Sequence, residues 1–165
     1  MSIQIRTLDT GAGTAHSNST TESSVASHTF TADSLQPGKV FLARCAVRAT
    51  ATNSTDTLTP AVRFGSSTTV TSNTSAGSGN AVDVADNDTF LVDLWIHCQS
   101  ATRVVITGLI TTADALGTDA VLDRVYLIAT IAKGTTYYLD ITADWSVAST
   151  ANSCQSEAWA VLEVT

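Results

Sequence analysis

The groups in this chain that could do chemistry are few and scattered. His16, His28 and His97 are its three histidines, and imidazole is the side chain best suited to moving a proton near neutral pH or to binding a metal. They are far apart in sequence. His97 alone has a cysteine beside it, and adjacent residues of a strand point to opposite faces, so His97 and Cys98 cannot easily share a proton or a ligand. Surface or structural histidines are the expectation. Cys45, Cys98 and Cys154 are widely spaced, with neither a CxxC pair nor the Cys/His spacing of a zinc site. They read as small apolar core residues in a reducing compartment.

Carboxylates give two further candidates. "DVADNDT" (83–89) carries Asp83, Asp86 and Asp88, oxygen donors of the kind Ca²⁺ takes, but without the glycine and terminal glutamate of an EF-hand loop. Solvated loop carboxylates in Asx-turns are the plainer reading. Asp140 and Asp144 lie four apart in one strand-like run and share a face, with no third group to support paired-carboxylate chemistry. Serine is abundant, yet no G-x-S-x-G elbow is present, and "GSSTT" (65–69) reads as an edge turn. No residue is therefore assigned to catalysis, to a cofactor or to a metal, and the expectation is that the protein is not an enzyme.

The tryptophans are candidates of another kind. Trp95 lies opposite the apolar face Phe90, Val92, Leu94, Ile96 and Cys98 of its strand. Trp159 lies opposite a face formed by Ala158, Ala160, Leu162 and Val164. Two tryptophans on outer faces point to a partner chain or to packing against a second sheet. With Trp145 they also suit a sugar-stacking platform.

Composition narrows the partners. The chain has 165 residues, 14% charged, with a formal net charge of −7. Its eight Lys and Arg are single and dispersed, so the clustered basic face that neutralises phosphate is missing, and neither nucleic acid nor an anionic membrane is expected. No apolar run approaches a bilayer span. "MSIQIRTLDT" has neither the basic start nor the apolar core of a secretory signal, and production in a cytoplasm is expected.

The elements that would position these groups are strands. "VFLARCAVRAT" (40–50) puts Phe41, Ala43, Cys45, Val47 and Ala49 on one face and Arg44 and Arg48 on the other, the period of a half-buried strand. "RVVITGLIT" (103–111) is nearly continuous, as for a strand covered on both sides. "VLDRVYLIATIA" (121–132) and "TTYYLDITADW" (135–145) suggest a hairpin bent at Gly134. Pro37-Gly38 marks another turn. No window carries a helical period. The expectation is all-β: a single jelly-roll-like antiparallel sandwich of about eight to ten strands over residues 25–165. Residues 1–24 precede it as an N-terminal strand and a polar arm.

"HTFTADSLQPGKVFLARCAVRAT", "TLTPAVRFGSSTTVTS" and the ending "LDITADWSVASTANSCQSEAWAVLEV" resemble a pattern in jelly-roll structural proteins of tailed bacteriophages. The likeness covers roughly residues 25–165; "MSIQIRTL" falls outside it, as a swapped strand or an arm that pairs with a neighbour. The resemblance implies a capsid decoration (cement) protein on the virion surface, made in the host bacterial cytoplasm. It would be a homo-oligomer, a trimer, bound to the major capsid protein and stabilising coat-subunit contacts. The alternative is a receptor- or carbohydrate-binding module of a tail or head fibre. A hydrolase is the more distant rival.

Overall fold

The structure, a computed structural model, describes residues 2–9, 13, 15–50, 55–84, 88–113 and 121–164, with the backbone alone at 113, 121 and 122. The described chain is two antiparallel sheets packed face to face. The strands are β1 (Ile3–Asp9), β2 (His16–Ser17), β3 (Ser23–Phe30), β4 (Val40–Thr50), β5 (Thr57–Gly65), β6 (Thr74–Ser78), β7 (Val82–Asp83), β8 (Asp88–Ser100), β9 (Arg103–Ala113), β10 (Val121–Thr130), β11 (Tyr137–Trp145) and β12 (Ser153–Val164). Ten of them have five residues or more, the upper end of the sequence expectation.

One sheet runs β1-β12-β4-β8-β9-β10, with β2 beside β12; the other runs β3-β11-β5-β6, with β7 beside β5. The pairing works from the outside of the chain inward. β1 meets β12, β3 meets β11, β4 meets β8 and β5 meets β6, and alternate pairs fall in opposite sheets. That nesting is the double Greek key of a jelly roll. The β9–β10 pair is an addition, extending the larger sheet beyond β8.

Period-two patterning places the core. Phe41, Ala43, Cys45, Val47 and Ala49 of β4 face inward with Phe90, Val92, Leu94 and Ile96 of β8, and all are buried. From the smaller sheet Phe30 meets Phe41 edge-on, ring centroids 5.1 Å apart, while Phe64 stacks on Tyr137 at 5.4 Å. Each such ring fully removed from water contributes roughly 2–3 kcal/mol.

Four expectations change. The turn at Gly134 exists, with φ of 74°, but β10 and β11 enter opposite sheets, so the chain crosses the sandwich there and makes no hairpin. β9 is fully covered on its inner face and only in part on the other, where Val105 is buried but Leu109 is exposed. β12 buries the face opposite to the one expected along its second half. A bulge between Ser156 and Ala158 switches its alternation, so Cys154 and Ser156 point inward before it, and Trp159, Val161 and Glu163 after it. One extra residue in a strand reverses every side chain beyond it. The opening segment pairs within its own chain, Ile3 opposite Val164 and Ile5 opposite Leu162.

Candidate functional site

The three histidines do not converge. His97 lies on the outer face of the larger sheet, its ring stacked 6.2 Å from that of Trp95. His28, in β3, holds Thr7 through Nδ1 at 2.6 Å and meets Phe30 edge-on at 4.5 Å. Burial, with the Arg6 cation nearby, pushes its pKa down to about 4. His16 is buried in β2, and its Nε2 has no hydrogen-bond partner. Burial lowers its pKa against the opposing pull of Asp144. The cysteines are free and buried, and burial pushes the thiols of Cys45 and Cys154 up to about 12 and that of Cys98 to about 11. Such thiols stay protonated and packed.

The acidic candidates separate as well. Asp83 is exposed in β7 and Asp88 is buried at the start of β8, while Asp86 lies outside the described residues. Among the described residues no three His, Cys, Asp or Glu side chains come together as a metal site. Asp140 and Asp144 do share the outer face of β11, in different settings. Asp140 accepts a 3.2 Å hydrogen bond from Ser24. Asp144 is raised above the usual carboxylate range, by burial and then by the Glu22 charge, with His16 working against both. The "GSSTT" segment is a turn fastened by Asn73, whose Oδ1 accepts from the Ser67 amide at 3.0 Å. Gly65 leaves the space for that side chain, since a Cβ there would lie 2.3 Å from Asn73 Oδ1.

Two polar anchors escaped the sequence. Arg63 grips Glu22 with both prongs, Nε to Oε1 at 2.6 Å and Nη2 to Oε2 at 2.5 Å, and the Thr142 hydroxyl donates to Oε1 at 2.5 Å. Burial would raise the Glu22 carboxyl, but these donors hold it below its ordinary value. The far end of the polar arm is thereby fixed to the smaller sheet. At the other end of the sandwich Glu163, 3% exposed, accepts from Arg6 Nε at 2.8 Å and pairs with Lys39 at 3.2 Å. An i, i+4 or motif signal could not have found either, because the partners are 41 and 157 residues apart.

The tryptophans divide. Trp145 is 1% exposed and Trp159 is 4% exposed, its indole N–H donating to the Ser27 carbonyl at 3.1 Å. Trp159 is therefore core, correcting the outer placement, for the reason given by the bulge. Trp95 is 43% exposed, on the outer face as expected.

That outer face is the distinctive surface. Strand register aligns Ile5, Leu162, Leu42, Trp95, Thr107 and Tyr126 in one row across six strands. The row beside it holds Ile3, Val164, Val40, His97, Val105 and Ile128. Ile5 and Tyr126, at the two ends, are 63% and 61% exposed. Between them an open depression of about 330 Å³ is lined by the small residues Ala46, Ala158 and Ala160 and rimmed by Leu8 and Leu91. Arg44 and Asp93, paired at 2.6 Å, line it as well, with Asp9. Exposed apolar side chains gathered on one sheet face are the kind of surface through which proteins associate. The chain matches no family model, and no curated protein matches it.

Proposed function

We propose that this chain is a non-enzymatic virion structural protein, a decoration (cement) protein that binds the outer surface of a phage head as a trimer and stabilises contacts between coat subunits. The observation that carries the reading is the apolar outer face of the β1-to-β10 sheet, which a sandwich working alone in water has no use for. The resemblance of residues 25–165 to jelly-roll virion proteins gives that face its context. The mechanism is additive contact. A rigid body seated across a subunit boundary binds the assembled shell and not its separated parts, so the shell gains stability by mass action.

Purified particles of the source virus test this. Copies of the chain on the scale of the coat protein, with particles stripped of it breaking at lower temperature, are the expected result. Absence from the particle sinks the reading. A few copies in a small multiple of three would favour the fibre module, for which one observation speaks: Trp95 is exposed and backed by the His97 ring, a surface on which a sugar could stack. In that case a glycan array should detect binding that Trp95→Ala abolishes with the fold intact. Trp145 is no part of such a platform, being buried.

A further inference from the structure

We infer that the chain carries an oxyanion site, a seat for a phosphate or sulfate group, at the open edge of the sandwich between β1 and β3. The inference is independent of the decoration reading.

β1 and β3 are edge strands of the two sheets, and the Thr7–His28 hydrogen bond at 2.6 Å joins them. Beside that joint is a depression of about 320 Å³. Phe30 and Phe41, both buried, lie at its base, and Arg6, His28, Thr31, Ser34 and Lys39 surround it. Among the described residues no acidic side chain lines it. Asp33, the one carboxylate between β3 and β4, is turned to another partner and accepts from the Gly134 amide at 3.0 Å. In a chain of net charge −7, the charged groups around this hollow are cations.

Three observations point to an anion. The first is spare donors. Glu163 engages Nε and Nη2 of Arg6 and Nζ of Lys39, so one carboxylate stands against two cations. Among the described residues, Nη1 of Arg6 and the other N–H groups of Lys39 remain to donate.

The second is the field. The pKa of His28 is pushed down to about 4 by burial and then by the Arg6 charge. Glu163 therefore does not cancel Arg6 at the imidazole, and the hollow keeps a positive potential.

The third is Ser34. Its Oγ is closed off from water and has no hydrogen-bond partner among the described residues. The turn around it is fixed. The Ser34 amide donates to the Thr31 carbonyl at 3.0 Å, and the Lys39 amide to the Gln36 carbonyl at 3.1 Å. A buried hydroxyl left alone in a fixed turn marks a missing partner. Donors reach the hollow from β1, from β3, from the turn and from the entry to β4. Donors from several directions suit a tetrahedral oxyanion better than a planar carboxylate, which two parallel bonds satisfy.

The test is sulfate binding to the full chain, followed through the His28 imidazole signals by NMR. Saturable binding is expected with a Kd of about 1 mM or tighter. The His28 pKa should rise from about 4 to roughly 5 or above, the effect of an opposite charge nearby. Ser34→Ala should weaken binding about tenfold, through loss of a charge-assisted hydrogen bond. Without sulfate its urea midpoint should match or exceed the native one, because that hydroxyl bonds to nothing in the fold. Lys39→Gln should weaken binding at least as much. Methyl phosphate, run alongside, distinguishes the source. Tighter binding than sulfate assigns the site to an ester on a larger molecule, and equal binding to the free ion; both support it.

No saturable response, or one that sodium chloride reproduces at matched ionic strength, overturns the site. Acetate binding as tightly as sulfate overturns the tetrahedral assignment. A Ser34→Ala chain that binds like the native one overturns the placement, since the lone hydroxyl would then have no part in it.

Discussion

At the scale of single residues, the polar groups of this molecule serve as fasteners. Glu22, Arg63 and Thr142 tie the segment before β3 to the centre of the smaller sheet, and Glu163, Arg6 and Lys39 tie β1 to β12 and the turn before β4. Removing one partner would leave the other short of a charged hydrogen bond in a half-dry site, at a cost of about 2 kcal/mol. The histidines add a pH dependence with a definite sign. His28 takes up its proton at about 4 in the folded chain against an ordinary 6.5. Between those values the unfolded chain binds more protons, so stability is full above 6.5 and declines as pH falls towards 4. His16 is shifted the same way, and the lowered carboxyls of Glu22 and Glu163 act only at the acid end. The urea midpoint should therefore drop between about pH 7 and pH 5, a range in which ordinary carboxylates stay ionised. In His28→Asn that slope should flatten. A midpoint constant across this range in the native chain would show that His28 titrates normally.

At the scale of elements, period two was legible and parity was not always. The buried faces of β4 and β8 follow directly from alternation, because neither contains an irregularity over its apolar run. β12 alternates just as cleanly, yet its bulge reverses the face, and a buried Glu163 is acceptable only because Arg6 and Lys39 reach it. Nothing local announces those partners. The Gly134 turn was readable from composition, while the sheet each flanking strand joins is decided by the whole chain. Gly108 is a similar case: inside β9 it looks like a weak strand residue, but a Cβ there would sit 2.1 Å from the Asp93 carbonyl oxygen of β8. Gly108→Ala must push β8 and β9 apart at the middle of the large sheet. A loss of about 2 kcal/mol or more is expected in chemical denaturation, and a loss below about 0.5 kcal/mol, the scale of an ordinary surface change, would mean that the ladder absorbs the methyl group.

At the scale of the whole molecule, the sandwich was legible and the apolar outer face was half so. Trp95 was placed outside correctly, but the apolar rows that surround it are made by lateral register among six strands, a relation that no window of sequence contains. The charge, by contrast, was fully visible. If copies of this chain, at −7, assemble as proposed, they should do so more tightly as salt rises, because screening shortens the reach of repulsion from about 10 Å at 0.1 M to about 3 Å at 1 M. Sedimentation across that range should show the assembly strengthening. Weakening would mean that ion pairs across the contact, and not apolar cover, hold the copies together.

The outside-in order of pairing also sets a timetable. β12 is hydrogen-bonded to β1, β2 and β4, so it is the partner for which three earlier strands must wait while residues 153–164 are still being synthesised. At about 5–20 residues per second the ribosome exposes β1 and β4 for several seconds before their common neighbour emerges. The large sheet is therefore completed only after translation of β12, through contacts of long sequence separation that form slowly. During that interval the most apolar surface of the molecule has only solvent, chaperones or another nascent copy to cover it. The yield of folded protein should then depend on how fast residues 153–164 arrive.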